Sequence, residues 1–353
     1  MRDKIISAIR SRTPTIFWGS PGVGKTAAIE AAVEELGGHL FVPLISSPGD
    51  VALPSLKGGA LKMEPQSWIR EAIELAGRGE LVVIFVDELT TYLPALQTAL
   101  LRFLDSGLIA SLRIPPSVAR LAAANPPREA VGGWDLEPPT ANRLRHVEWK
   151  VSAQDFVSEF PSYWGRAEKV EGERTWIDSS RWREARTLVA SFISRRPELL
   201  LKVPRERTLA GRAWPSPRTW DMLTQHVGCG GDWEAAPEFL GGAGLELLSW
   251  LEHLDLPDVS AILENPDLFE LSGRGDRDLA VLFGIVSLAL EDLSRERWMA
   301  AWKCLAKAAK AGVPDLAAVA AKDLARARNS RPDLPRPLEE IEAFRPLLRA
   351  AGI

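Results

Sequence analysis

The stretch TIFWGSPGVGKT, residues 15–26, decides the fold. Its first four residues are apolar or β-branched and read as a strand. Glycines follow, and KTAAIEAAVEEL, residues 25–36, then reads as a helix stopped by Gly37 and Gly38. A strand that passes through a glycine loop into a helix is the opening of a parallel βαβ unit. Residues 19–26 also fit the spacing G-x-x-x-x-G-K-[ST] in that context. Without Cβ atoms in the way, backbone N–H groups can turn inward around an anion, and the positive end of the helix points at the same place. Gly19, Ser20, Pro21, Gly22, Val23 and Gly24 are therefore expected to wrap phosphates. Lys25 is expected to reach the β- and γ-phosphates, and the Thr26 hydroxyl to ligate Mg²⁺.

Outward from this loop the same texture runs to Lys150, with short apolar runs alternating with helical patterns. LFVPLIS (40–46) and LVVIFV (81–86) read as the second and third strands, with VARLAAAN (118–125) and RHVEW (145–149) completing a parallel α/β sheet. The third is apolar throughout, as expected of a strand covered on both faces. SWIREAIELAG (67–77) and PALQTALLRFLDSG (94–107) read as helices, the second punctuated by Pro94 and Gly107. Between Pro48 and Trp68 lies a glycine- and proline-rich insert in which ALKM (60–63) can form one strand of a hairpin.

The third strand ends in Asp87 and Glu88. Two consecutive acids there face the C-terminal edge of the sheet, where open α/β sheets bind ligands. Asp87 is expected in the Mg²⁺ shell, and Glu88 is expected to orient and deprotonate an attacking water. The loop is thus expected to hold a nucleoside triphosphate, and the chain to cut it. Asn125, at the end of another apolar strand, offers a neutral amide to the γ-phosphate; an ordinary Asn-Pro turn is the alternative. Arg143 and Arg145 flank the start of the last strand, where an outward arginine can enter a neighbouring subunit's site or simply be solvated. In WPSPRTWDML (214–223), Ser216 reads as an N-cap, Pro217 as the first helical residue and Arg218 as the second. A cation in the first turn opposes the helix dipole at a cost of roughly 0.3–1 kcal/mol. It makes sense beside an anion, or beside a compensating local carboxylate.

After Val151 helical patterns dominate. Ten of the thirteen tryptophans lie beyond residue 148, scattered as core anchors would be. The apolar run Leu279 to Leu290 is too short to cross a bilayer and suits a buried helix. The expected domains are an α/β core over 1–152, an all-helical lid over 153–285 and a helical C-terminal extension over 286–353. A net charge of −4 argues against general nucleic-acid binding. Cys229 and Cys304 lack paired spacing, and the four histidines form no HExxH, so neither a zinc site nor a disulfide framework is indicated. MRDKIISAIR has no signal-peptide core, and a cytoplasmic setting is expected.

The order of these parts resembles the AAA+ ATPases. The insert before the second helix resembles the MoxR-like, dynein-related branch. SSPGDVALPSLKGG, EPQSWIREA, LAAANPP, ANRLRHVEW and PSPRTW are similar to a bacterial subgroup of that branch. The resemblance implies a P-loop NTPase core with a helix-2 insert and an all-α lid, forming rings, usually hexamers, with ATP between subunits. It implies remodelling of protein partners, typically ones bearing a von Willebrand factor A domain and in some cases metallopeptidase-like. By position, Lys25 and Thr26 become Walker A, Asp87 and Glu88 Walker B and Asn125 sensor 1. Of Arg143 and Arg145, Arg143 is the better candidate for the arginine finger, and Arg218 becomes sensor 2. One departure stands out: residues 50–62 offer Leu53, Leu56 and Lys57 but no aromatic ring, where threading motors place one. That disfavours a processive unfoldase and favours partner remodelling or metal-ion insertion. The expected function is an ATP-hydrolysing chaperone-like motor. The alternatives are a nucleotide-gated scaffold with incidental hydrolysis and a DNA-remodelling subunit of a nuclease system, the latter opposed by the absence of a basic cluster.

Overall fold

The computed structural model describes residues 1–45, 50, 52–57, 60–109, 112–126, 129, 134–136, 138–161, 176–342 and 344–350. It divides into two units, Met1–Lys150 and Val151–Ile353.

The first unit begins with α1 (Arg2–Ser11), β1 (Thr15–Trp18), α2 (Lys25–Glu35) and β2 (His39–Phe41). A hairpin of β3 (Ala52–Lys57) and β4 (Ala60–Pro65) precedes α3 (Ser67–Gly77) and β5 (Val82–Val86). Then come α4 (Pro94–Ser106), a short hairpin of β6 (Leu108–Ile109) and β7 (Leu112–Arg113), β8 (Ala119–Ala124), α5 (Pro138–Ala141) and β9 (Arg145–Glu148). Five of the strands form one parallel sheet in the order β2-β5-β8-β1-β9. Every residue of β5 and β8 is buried, as central strands covered on both faces must be. This is the α/β P-loop NTPase arrangement expected from residues 15–26.

The register sets which residues meet at the C-terminal edge of the sheet. Trp18 of β1 pairs with Ala124 of β8 on one side and Glu148 of β9 on the other. Because β8 lies between β1 and β5, the residue that follows it, Asn125, emerges between the glycine loop and the acidic pair.

The second strand is shorter than the expected 40–46. It stops at Phe41, because Pro43 has no N–H to give to a ladder, and Leu44 is 86% exposed. The insert pairs Leu53 with Glu64 and Lys57 with Ala60, so ALKM does form a hairpin strand, on a separate two-stranded sheet. Pro48, Gly49, Val51, Gly58 and Gly59 of that insert, and Pro127 after Asn125, lie outside the described residues. Helix α4 begins at Pro94 and ends where Gly107, at φ 70°, returns its N–H to the Phe103 carbonyl at 2.8 Å.

The described part of the second unit is helical. Its centre is the helix Gly275–Glu291, which contains the apolar run and packs on the helices Ser179–Arg195, Arg295–Lys310 and Pro314–Ser330. Residues 285 and 286, the boundary expected between lid and extension, both lie within it. One core joins Phe156 near the start of this unit to Phe344 near its end. Trp182, Trp220 and Trp298 are fully buried in this unit, while Trp176 is 67% exposed and Trp164 lies outside the described residues. The buried Asp276 anchors the central helix, accepting from Trp250 Nε1 at 2.7 Å and pairing with Arg274 at 3.1 Å and Arg195 at 3.4 Å. Burial opposes ionisation of Asp276, but the Trp250 N–H and the two arginines outweigh it and hold the carboxyl below its usual value. No helix among the described residues is long and apolar enough to cross a membrane.

Candidate functional site

The glycine loop begins where β1 ends. Gly19 donates its N–H to the Ala124 carbonyl at 3.1 Å, and Trp149 donates to the Trp18 carbonyl at 2.6 Å, so the loop is launched from strands pinned on both sides. Gly22 (φ 75°) and Gly24 (φ 84°) take the left-handed backbone that lets the loop fold back and enter α2. Gly24 is the residue before the helix, so the first free N–H groups of α2 face the loop's interior.

Lys25 is buried, at 7% exposure, with its ammonium inside the loop. It donates to Gly19 O at 2.7 Å, Ser20 O at 3.1 Å and Asn125 Oδ1 at 2.9 Å. The predicted Asn125 therefore touches the predicted Lys25 across 100 residues of chain. One position further, the Thr26 hydroxyl donates to Asp87 Oδ2 at 2.6 Å. The other Asp87 oxygen accepts the Glu88 N–H at 2.9 Å. Strands β1, β5 and β8 thus bring one cation, one amide, one hydroxyl and two carboxylates to a single edge of the sheet.

Glu88 is exposed and has φ 52° and ψ 40°. It and Arg12 are the non-glycine residues with positive φ among those described. A left-handed glutamate carries a cost of about 1–3 kcal/mol, and such outliers gather where a side chain must be aimed. Its carbonyl is held by Thr91, and a single tight turn, Leu89–Thr91, follows.

The donors suit Mg²⁺. A hydroxyl and a carboxylate, both hard oxygens, meet at Thr26 and Asp87, and no group of three or more His, Cys, Asp or Glu side chains is gathered anywhere among the described residues. Mg²⁺ binds through one or two protein oxygens and takes the rest of its octahedron from phosphates and water, whereas zinc would need a fuller protein set.

The two candidate arginines differ. Arg143 is half-exposed in the turn before β9, with Nη1 3.7 Å from Asp105 at the end of α4. Arg145 reaches back to its own α1, Nη1 standing 3.5 Å from Ser7 Oγ. Near them is a link the sequence did not reveal. The Trp18 indole donates to His146 Nδ1 at 2.9 Å, the two rings lying within 15° of one plane, while His146 Nε2 faces the Ala141 carbonyl at 2.8 Å. These partners assign the histidine proton to Nε2 and tie the end of β1 to the segment carrying Arg143.

Arg218 belongs to the second unit, where it is exposed in the first turn of the helix Pro217–Gly228. The cap is as expected and more: the Thr219 N–H donates to Ser216 Oγ at 3.3 Å and the Ser216 N–H to Thr219 Oγ1 at 2.8 Å, a reciprocal capping box. Among the described residues no carboxylate pairs with Arg218. A cleft of 680 Å³ in the same unit, lined by Lys303, Lys307, Lys310, Asp267, Glu339 and Glu340, gathers none of these residues and balances its own charges.

No curated protein sequence matches this chain. Among solved structures, a candidate ATPase from Cytophaga hutchinsonii ATCC 33406 is 13% identical, with 70% of this chain and 78% of that chain covered at a TM-score of 0.30. Such a likeness is too loose to lay one site on the other. Residues 15–130, which run from β1 past Lys25, Asp87, Glu88 and Asn125, match the ATPase family associated with various cellular activities (AAA).

Proposed function

We propose that the chain is an ATP-hydrolysing remodelling motor of the MoxR-like AAA+ type, working as a ring, usually hexameric, on a protein partner in the cytoplasm. The observation that carries the reading is the meeting of Lys25, Thr26, Asp87 and Asn125 at one edge of the sheet, over a segment similar to AAA ATPases. Thr26 and Asp87 would hold Mg²⁺, which when bound would supply a Lewis acid for the charge on the outer phosphates. The chain's own groups do the rest. Lys25 exchanges loop carbonyls for phosphate oxygens, the loop N–H groups cradle the β-phosphate, and Asn125 orients the terminal phosphate and the water. Glu88 takes the proton of the attacking water.

Arg143 completes the site of the next subunit as an arginine finger. Its exposure supports that role. Arg218 is a phosphate ligand in this reading, supported by its position in the first turn of its helix without a carboxylate partner among the described residues. The insert hairpin presents Leu53, 52% exposed, and no aromatic ring, which fits local remodelling better than threading. A protein with a von Willebrand factor A domain, or a metallopeptidase-like one, is the partner class proposed.

Glu88→Gln tests the reading. It is expected to bind ATP with parental affinity, to lose hydrolysis by at least about a hundredfold and to retain partner and ring. Hydrolysis at the parental rate would overturn the assignment of Glu88.

A further inference from the structure

We infer that Thr91 is a positioning residue for Glu88, an inference that rests on the hydrolytic reading above. Glu88 is held in the left-handed region at φ 52°, where an L-residue does not stay unless its neighbours keep it there. A relaxed backbone would swing the Cα–Cβ bond and carry the carboxylate away from the sheet edge. Two sets of bonds prevent this. Upstream, Asp87 Oδ1 accepts the Glu88 N–H at 2.9 Å. Downstream, the Glu88 carbonyl accepts twice from Thr91, from its N–H at 2.8 Å and from its hydroxyl at 2.8 Å.

The second of these bonds is specific to the side chain. Any residue at position 91 can close the turn with its N–H, but only a Ser or Thr hydroxyl reaches the same oxygen. β-Branching then restricts χ1 and holds the hydroxyl in place. Thr91 is exposed, so its hydroxyl has water available and is not satisfying a buried need. The next peptide is pinned as well, since the Thr90 carbonyl accepts the Trp134 N–H at 2.8 Å. Asp87 therefore serves two tasks: one oxygen faces Thr26 and the other orients Glu88.

If Thr91 aims the glutamate, losing its hydroxyl should slow hydrolysis without weakening nucleotide binding, because Glu88 does not hold the nucleotide. The loss of one neutral hydrogen bond predicts a fall in kcat of about threefold to tenfold. The experiment compares Thr91→Val, Thr91→Ser and Glu88→Gln in the full chain by steady-state ATP hydrolysis, affinity for a nonhydrolysable ATP analogue and thermal midpoint. A lowered kcat in Thr91→Val at parental KM, affinity and midpoint, with Thr91→Ser near parental, supports the inference. A parental kcat in Thr91→Val overturns it while Glu88→Gln is inactive. A common loss of KM and midpoint that Thr91→Ser fails to restore also overturns it, as a merely structural effect. Parental hydrolysis by Glu88→Gln would instead overturn the assignment of Glu88 as the base, the part of the functional reading on which this inference rests.

Discussion

Replacing Gly19 by alanine puts a single methyl group where two strands leave no room. An added Cβ would stand 2.8 Å from Trp149 Cβ, 3.0 Å from the Trp149 carbonyl oxygen and 3.3 Å from its Cγ. Neither side can give way freely, because Trp149 N–H is tied to Trp18 and Gly19 N–H to Ala124. The Trp149 ring is itself buried, edge-on to Phe17 with centroids 6.0 Å apart. Overpacking of this kind costs about 1–3 kcal/mol, which for a unit of this size lowers the melting temperature by roughly 2–12 °C. It should also weaken nucleotide binding, since the strain falls on the first residue of the loop and on the carbonyl that holds Lys25. Calorimetry of the nucleotide-free chain and titration with an ATP analogue measure the two effects. Partial rescues make the argument sharper. Trp149→Ala keeps both the Cβ and the carbonyl, so its cost should add to that of Gly19→Ala within about 0.5 kcal/mol, whereas Trp149→Gly removes the closest atom and should show a favourable coupling. A Gly19→Ala protein that melts within about 1 °C of the parent, or is restored by Trp149→Ala, would refute the packing argument.

Arg120, buried on β8, donates to the Phe103 carbonyl at 3.3 Å, has an unpartnered Nε, and is pulled below the usual guanidinium range by burial, with Asp105 opposing. Arg120→Met is therefore expected to unfold in urea within about 1 kcal/mol of the parent or above it, whereas Arg120→Ala should lose about 2–4 kcal/mol through the cavity. Asp276 has a folded pKa below its ordinary 3.8, so its contribution is present above that value and lost as the pH falls through the folded pKa. Asp276→Asn should cost about 1.5–3 kcal/mol at pH near 7 and progressively less below the ordinary carboxylate range. A gap that is the same at both ends of a pH series of denaturant midpoints would refute this. Burial pushes the Cys304 thiol up to about 12, while Cys229 is exposed. A thiol reagent should therefore modify one cysteine of the native chain and the second only on unfolding; equal native rates would contradict the packing of Cys304.

The sheet and its loop were legible because their signals are local. Gly24, Pro94 and Gly107 punctuate elements by backbone conformation alone, and an unbroken apolar run such as Val82–Val86 has few readings once a glycine loop precedes it. The capping box at Ser216 was half visible, since the cap follows from residue type while the return bond from Thr219 depends on the helix being formed. The second strand ends short of residue 46 because Pro43 denies the ladder a donor, which the apolar run LFVPLIS conceals. Helix α1 buries Ile5, Ala8 and Ile9 on one face, but the charged residues around them make that short stripe hard to read in the sequence. The links Trp18 to His146 and Gly19 to Trp149 join residues about 130 positions apart. No spacing rule reaches that far; they follow only when β9 is laid beside β1. Thr91 left a fainter trace, a hydroxyl three residues after an acid, which is too common to single out.

The placement of β8 has a consequence for how the site tolerates change. The distance from the phosphate loop to the acidic pair spans two inter-strand gaps, β1 to β8 and β8 to β5, or about 10 Å, and each is set by peptide hydrogen bonds. Side chains on β8 do not enter that dimension. Its row of alanines can be traded for bulkier residues at the expense of the flanking helices, while the width from the glycine loop to the acidic pair stays the same. The gauge of the site is built into the main chain, and only a break in the ladder can alter it.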